Sequence, residues 1–148
     1  MKPYVVAAAA VALSWGVAFA AAAADPPALT DLTVDVTGFE SATGDVLVAL
    51  YDGPDSYEGT KPPLRTAIAK IAGGHALVLL DSLPAGDYAI ALYHDRNGNG
   101  KLDRGFLGRP LEPYGFSNNV RKTTGRPSFE EARFTLPAAG PRIDIRVE

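Results

Sequence analysis

Period-two alternation dominates the chain, and no segment carries a sustained helical stripe. From Leu32 to Phe39 the side chains alternate: Leu32, Val34 and Val36 share one face, with Thr33, Asp35 and Thr37 on the other. That is a half-buried strand. Val46–Tyr51 is apolar on both faces and reads as a central, buried strand, and Asp87–His94 is again a near-continuous apolar run. Thr66–Ala72 and His75–Leu80 flank Gly73-Gly74, a pair suited to the tight turn of a hairpin. Phe129–Leu136 predicts a weaker strand, and its Glu-Glu-Ala centre equally fits one helical turn. At the end, Ile143, Ile145 and Val147 alternate with Arg142, Asp144, Arg146 and Glu148, as a half-exposed terminal strand does. About seven short strands separated by Gly, Pro and Asp turns predict an all-β fold, a β-sandwich with Greek-key connections.

The first residues break this rhythm. Lys2 supplies a basic start, an apolar run follows from Tyr4 to Phe19, and alanines continue to Ala24. This is the layout of a secretory signal peptide, with Ala22 and Ala24 at the small-residue positions of an Ala-x-Ala cleavage site. The alanine-rich run is short of the roughly 20 strongly apolar residues a retained anchor needs. The expectation is therefore a signal peptide over residues 1–24 and a single β-sandwich domain over 25–148, periplasmic or secreted, with no membrane span after cleavage. The remaining length is enough to bury a core without staples. The chain has no cysteine, so an oxidising compartment supplies no crosslinks. Its formal charge of −3, made one unit more negative by loss of Lys2, and the lack of a basic block exclude nucleic acid as a partner.

Leu83-Pro-Ala-Gly-Asp-Tyr88 is a turn entering a strand: Pro84 and Gly86 set the bend, and Tyr88 fills the edge of the core. It is similar to turns of prealbumin-like and carboxypeptidase-regulatory-like sandwiches. One stretch does not fit a minimal sandwich. Between His94 and Phe129 lies an excursion far longer than the roughly 12–15 residues usual for connections. Phe106, Leu107, Leu111, Tyr114 and Phe116 within it need something to pack against, so it is expected to be ordered and to cover one end or face of the sandwich.

The excursion opens with Asp95-Arg-Asn-Gly-Asn-Gly-Lys-Leu-Asp103. Oxygen-bearing side chains stand at relative positions 1, 3, 5 and 9, with glycine at 6 and an apolar residue at 8. That spacing aims Asp95, Asn97, Asn99 and Asp103 at one point, lets Gly100 make the sharp turn, and adds the Lys101 carbonyl. Ca²⁺ takes six to eight oxygens. Position 12 is Phe106, so a closing carboxylate must come from elsewhere, and Glu112 is the candidate. With two carboxylates in the loop the expected affinity is weak, on the order of 10⁻⁴–10⁻³ M. The alternative is a plain turn whose Asx side chains bond their own backbone. Zinc is disfavoured, since His75 and His94 are the only histidines.

Taken together, Leu83-Pro-Ala-Gly-Asp-Tyr-Ala-Ile90, the segment His94–Asp103, Gly108-x-Pro-x-Glu-Pro-Tyr-Gly-Phe-Ser-Asn-Asn119 and Pro127-Ser-Phe-x-x-Ala132 resemble one family, the exported bacterial domain of unknown function 2141. The resemblance implies a secreted or periplasmic sandwich and no particular activity. Tyr114, Phe116, Ser117, Asn118 and Asn119 combine two aromatics, a hydroxyl and two amides, and so are candidate ligand-binding residues above the ion loop. They serve equally well as the excursion's own anchors. The leading expectation is a calcium-stabilised binding or adaptor module for a small molecule, glycan or envelope protein. A metal-assisted hydrolase using His94 or Glu112 as base is the second, and a structural domain without an ion is the third. No nucleophile elbow or metal-ligand trio marks a catalytic residue.

Overall fold

The computed structural model describes residues 28–148. The signal-peptide expectation lies outside these residues. Eight strands and two single-turn helices follow in the order β1 (Leu29–Thr37), β2 (Asp45–Tyr51), α1 (Pro54–Tyr57), β3 (Arg65–Lys70), β4 (Ala76–Pro84), β5 (Gly86–Asp95), β6 (Tyr114–Phe116), α2 (Phe129–Ala132), β7 (Phe134–Leu136) and β8 (Arg142–Arg146). They form two sheets and no barrel. One has the order β4-β1-β8, and the other β3-β2-β5-β6, with β7 also paired to β5. β8 lies parallel to β1, in register from Thr33 opposite Arg142 to Thr37 opposite Arg146, and the other ladders are antiparallel.

The alternation read from the sequence decides what faces the core. Leu32, Val34 and Val36 of β1, Ala76, Val78 and Leu80 of β4 and Ile145 of β8 pack against Val46, Val48 and Leu50 of β2 and Ile90 and Leu92 of β5. Every one of these is buried. Tyr88 lies in this core and its hydroxyl donates to the Pro84 carbonyl at 2.8 Å, closing the predicted turn. The Gly73-Gly74 turn forms as well, but its flanks share only the Ala72–His75 bridge. Beyond it the two strands part, β3 staying with β2 and β4 crossing to β1 in the other sheet. The sequence signal specified the turn; the burial of Val78 and Leu80 against β1 and β2 decided where the strand went. The Glu-Glu-Ala centre of Phe129–Leu136 takes its helical option, started by a capping box between Ser128 and Glu131, and only Phe134–Leu136 remains extended.

β2 and β5 are apolar on both faces, the inner one packed in the core and the outer one covered at its Tyr51–Ala89 end. The outer face of their sheet carries a second cluster, Ala89, Phe116, Tyr57, Phe129 and Ala132, brought there by α1, α2 and the end of the excursion. On the other sheet, Asp35 points outward from β1, yet is 4% exposed between His75 and Arg142. Burial pushes its carboxyl up, but the His75 and Arg142 hydrogen bonds outweigh this and hold it below the ordinary carboxylate value.

Candidate functional site

The loop after β5 is built around buried Asp95, which is 1% exposed. Its Oδ1 accepts the backbone N–H groups of Gly98 at 2.8 Å and Asn99 at 3.1 Å, and its Oδ2 that of Gly100 at 2.7 Å. Asn97 Oδ1 accepts from the Asn99 N–H at 3.1 Å, and Asn99 Oδ1 from the Lys101 N–H at 2.8 Å, two successive Asx turns. The NH₂ groups of both amides meet one carboxylate: Asn97 Nδ2 donates to Asp103 Oδ2 at 2.6 Å, and Asn99 Nδ2 to Asp103 Oδ1 at 2.9 Å. Gly100, at φ +73°, makes the turn that places Lys101 and Asp103 on this side. The side chains of residues 97, 99 and 103 thus meet, with the amide NH₂ groups turned to Asp103 and the amide oxygens, like the Asp95 carboxylate, engaged by the loop's own backbone.

Glu112 reaches the loop too, but at its base. Its Oε1 accepts the Arg96 N–H at 2.9 Å and its Oε2 the Asp103 N–H at 3.0 Å, so one buried carboxylate ties the two ends of the loop together. Gly44 holds the entry: at φ +88°, it lies so close to β5 that a Cβ there would stand 2.1 Å from the Asp95 carbonyl oxygen. Among the described residues, no group of three or more His, Cys, Asp or Glu side chains is arranged to hold a metal. Any ion at the loop therefore relies on amide and main-chain oxygens besides its carboxylates.

Beside the loop, the outer face of the β3-β2-β5-β6 sheet forms one wall of a groove of about 720 Å³. Leu47 and Ala49 of β2, Ile68 of β3 and Ala91 of β5 form the floor, Tyr51, Tyr93 and Tyr114 line it, and Gly100, Leu102 and Leu107 come from the excursion. Arg104, Arg109 and Arg126 complete the lining. The Asp95–Asp103 loop and the groove therefore share residues Gly100 and Leu102. Tyr93 reports their proximity: burial raises its phenol above the ordinary value, and the carboxylates of Asp95, Glu112 and Asp103 raise it further.

Of the candidate ligand residues, Tyr114 and Phe116 line this groove, while Ser117, Asn118 and Asn119 do not. The Ser117 hydroxyl is fully buried, accepts the Ile90 N–H at 2.9 Å and donates to the Ala132 carbonyl. Asn118 donates to the Arg133 carbonyl at 2.7 Å, and Asn119 pairs with Asp144 and Arg146 of β8. These three staple the excursion to the sandwich. Phe106, Leu107 and Leu111, expected to pack, instead stand 88%, 82% and 64% exposed. An isolated bridge between Arg104 and Pro110 closes this tip on itself. His94 is fully buried, its Nε2–H donating to the Thr43 carbonyl at 2.7 Å and its ring edge set against Phe39.

The three groove arginines escaped the sequence reading, because isolated arginines in a loop carry no spacing signal. The available signal was the unbroken apolar character of β2 and β5, which demands a cover on both faces.

A family described as an uncharacterised protein conserved in bacteria, DUF2141, matches residues 34–144. No curated protein and no solved structure is significantly similar to the chain. The chain belongs to the DUF2141 family.

Proposed function

For this family member we propose an exported, calcium-stabilised binding module, with the ion held by the loop Asp95–Asp103 and the ligand taken by the groove beside it. The observation that carries the reading is the convergence of Asn97, Asn99 and Asp103 on one locus next to the groove wall. There the two amide NH₂ groups solvate the Asp103 carboxylate without cancelling its charge. Turned about their Cβ–Cγ bonds, they give up their two Asx-turn bonds and offer carbonyl oxygens to the same locus, where a divalent cation supplies the charge that Asp103 lacks a partner for. Asp95 supplies a second carboxylate and Lys101 a main-chain oxygen, with water completing the shell. Two carboxylates suit the weak affinity of extracellular modules, about 10⁻⁴–10⁻³ M. Export, to the periplasm or beyond, rests on the signal-like residues 1–24. On topology, the proposal is a Greek-key sandwich of prealbumin-like type, supported by a chain that changes sheet between β1 and β2, β3 and β4, and β4 and β5. A hydrolase has no comparable support: His94 is buried on Thr43, and the Ser117 hydroxyl is engaged by backbone groups.

Thermal melts of the wild type and Asp103→Asn in calcium, magnesium and chelator test the ion site. With about 10 mM calcium and a Kd of 10⁻³–10⁻⁴ M, mass action adds roughly 1.4–2.7 kcal/mol. Magnesium is expected to add less, and Asp103→Asn to remove the calcium increment. A melt indifferent to calcium, or a variant that keeps the whole increment, ends the ion assignment.

A further inference from the structure

We infer that the groove takes a single amphipathic anion, an acyl chain or similar apolar body ending in a carboxylate; this deepens the binding-module reading by naming its ligand class. The inference starts from charge. The chain has 17 Asp and Glu residues, yet none lines the groove, which holds three arginines instead. Among the described residues, Arg104, Arg109 and Arg126 have no carboxylate partner. Arg96, Arg121, Arg133, Arg142 and Arg146 all have one. Of the four arginines without a carboxylate partner among the described residues, three therefore stand around one concavity, and the fourth, Arg65, lies at the start of β3 outside it.

Those groups are held in place without being neutralised. Arg126 stacks over the Tyr57 ring, 3.8 Å from its centroid, with Tyr51 and Phe116 further out. Aromatic faces fix its plane while leaving its charge for an oxyanion. Arg104 gives one N–H to the Gly108 carbonyl at 2.9 Å, which leaves the rest of its fork available. Arg109 stands on the same wall.

The floor between these charges is apolar. Alanines at 49 and 91 keep the sheet surface open where larger residues would fill it. Ile68, 68% exposed, and Leu107, 82% exposed, are available to cover a chain lying on that floor. A volume near 720 Å³ falls in the usual range for one small ligand. An apolar trough edged by unpaired arginines complements a tail and an anionic head at once; neither a neutral glycan nor a cation matches both.

The test uses decanoate below its micelle concentration, with decanol and decyltrimethylammonium as neutral and cationic comparisons. Binding is followed by calorimetry, and amide chemical shifts locate the site, in calcium and in chelator. Decanoate is expected to bind at least tenfold tighter than either comparison and to move the signals of Ala49, Ile68 and Ala91. The double variant Arg104→Gln/Arg109→Gln is expected to lose about tenfold for decanoate and to leave decanol unchanged. Ile68→Glu, at an exposed edge-strand position, is expected to weaken decanoate, whereas Leu79→Glu on the opposite sheet leaves it unaltered. Equal affinity for all three amphiphiles overturns the inference. So do shifts centred elsewhere, an undiminished double variant, or attachment to anionic vesicles without binding of the monomeric ligand. Decanoate binding in a protein that ignores calcium refutes the ion site alone; calcium stabilisation without decanoate binding refutes this inference alone.

Discussion

Glu112→Gln separates two roles that one carboxylate at the Asp95–Asp103 loop is able to fill. In the structure Glu112 is 6% exposed, with Oε1 on the Arg96 N–H at 2.9 Å and Oε2 on the Asp103 N–H at 3.0 Å. A hydrogen bond to a charged acceptor contributes about 1.5–3 kcal/mol net. Glutamine keeps one carbonyl oxygen and turns an NH₂ toward the second N–H. One bond is therefore lost outright, and the other loses its charge assistance. Some of the loss is recovered as water reaches the loop, leaving an expected destabilisation of about 2–3 kcal/mol. For a domain of this length that lowers Tm by roughly 6–12 °C. Scanning calorimetry in chelator measures it without any contribution from calcium. A clamp predicts the same loss in calcium, with the calcium increment itself preserved. A Glu112→Gln protein within about 0.5 kcal/mol of wild type in chelator refutes the clamp. If it also loses the calcium increment, Glu112 is the closing ion ligand instead.

Three further perturbations follow from the same geometry. Gly44→Ala forces a Cβ toward the Asp95 carbonyl at a left-handed φ, and is expected to cost roughly 2–4 kcal/mol in urea unfolding; a loss below 1 kcal/mol contradicts the close approach. Ser117→Ala strands the buried Ile90 N–H and is expected to cost about 1–3 kcal/mol in the same assay, whereas an unchanged midpoint removes its stapling role. Glu131 accepts the Ser128 N–H and the Lys122 ammonium, and its carboxyl is lowered to about 2. A depressed folded-state value means that its stabilisation is full above pH 4.5 and fades as pH falls toward 2. Side-chain carboxyl NMR should place its midpoint near 2 and move it upward in Ser128→Ala; a midpoint above 4 in the wild type excludes the capping box as its cause.

What the sequence made legible follows from how local each signal is. Strand alternation is read from adjacent residues, so the shared face of Leu32, Val34 and Val36 in β1, and of Ile145 and Val147 at the C-terminal end, is legible in the sequence and is the face that the core buries. The Asp95–Asp103 spacing is equally local: it brings 97, 99 and 103 together, but whether the amide oxygens face an ion or the loop's own N–H groups is not written in the spacing, and here they accept from Asn99 and Lys101. Partner choice is not local. Gly73-Gly74 encoded a reversal, but which sheet received β4 depended on Val78 and Leu80 meeting residues distant in sequence. The role of Glu112 was half legible: proximity to the loop could be inferred, but its binding of two N–H groups could not. Phe106, Leu107 and Leu111 misled for a related reason. Apolar character in a long loop implies a cover only if the cover belongs to the same chain. Here these side chains face outward, Leu107 along the groove.

The two proposed sites also constrain one another. Asp95, Asp103 and Glu112 lie near enough to Tyr93, a groove residue, to raise its phenol. Their negative field therefore reaches the surface where an anionic ligand would lie, and opposes it. A divalent cation in the loop cancels that field while stiffening Gly100 and Leu102, which belong to loop and groove alike. Both effects have the same sign, so calcium is expected to tighten decanoate binding, and linkage requires decanoate to tighten calcium by the same factor. Coupling of this kind is typically about fivefold or more. The factor should shrink at high salt, where screening weakens the electrostatic part and leaves the stiffening. Paired titrations, each ligand measured with and without the other, give two independent values of one number. Binding of both ligands with no coupling between them would mean that the loop carboxylates do not act on the groove, and that the shared residues transmit nothing.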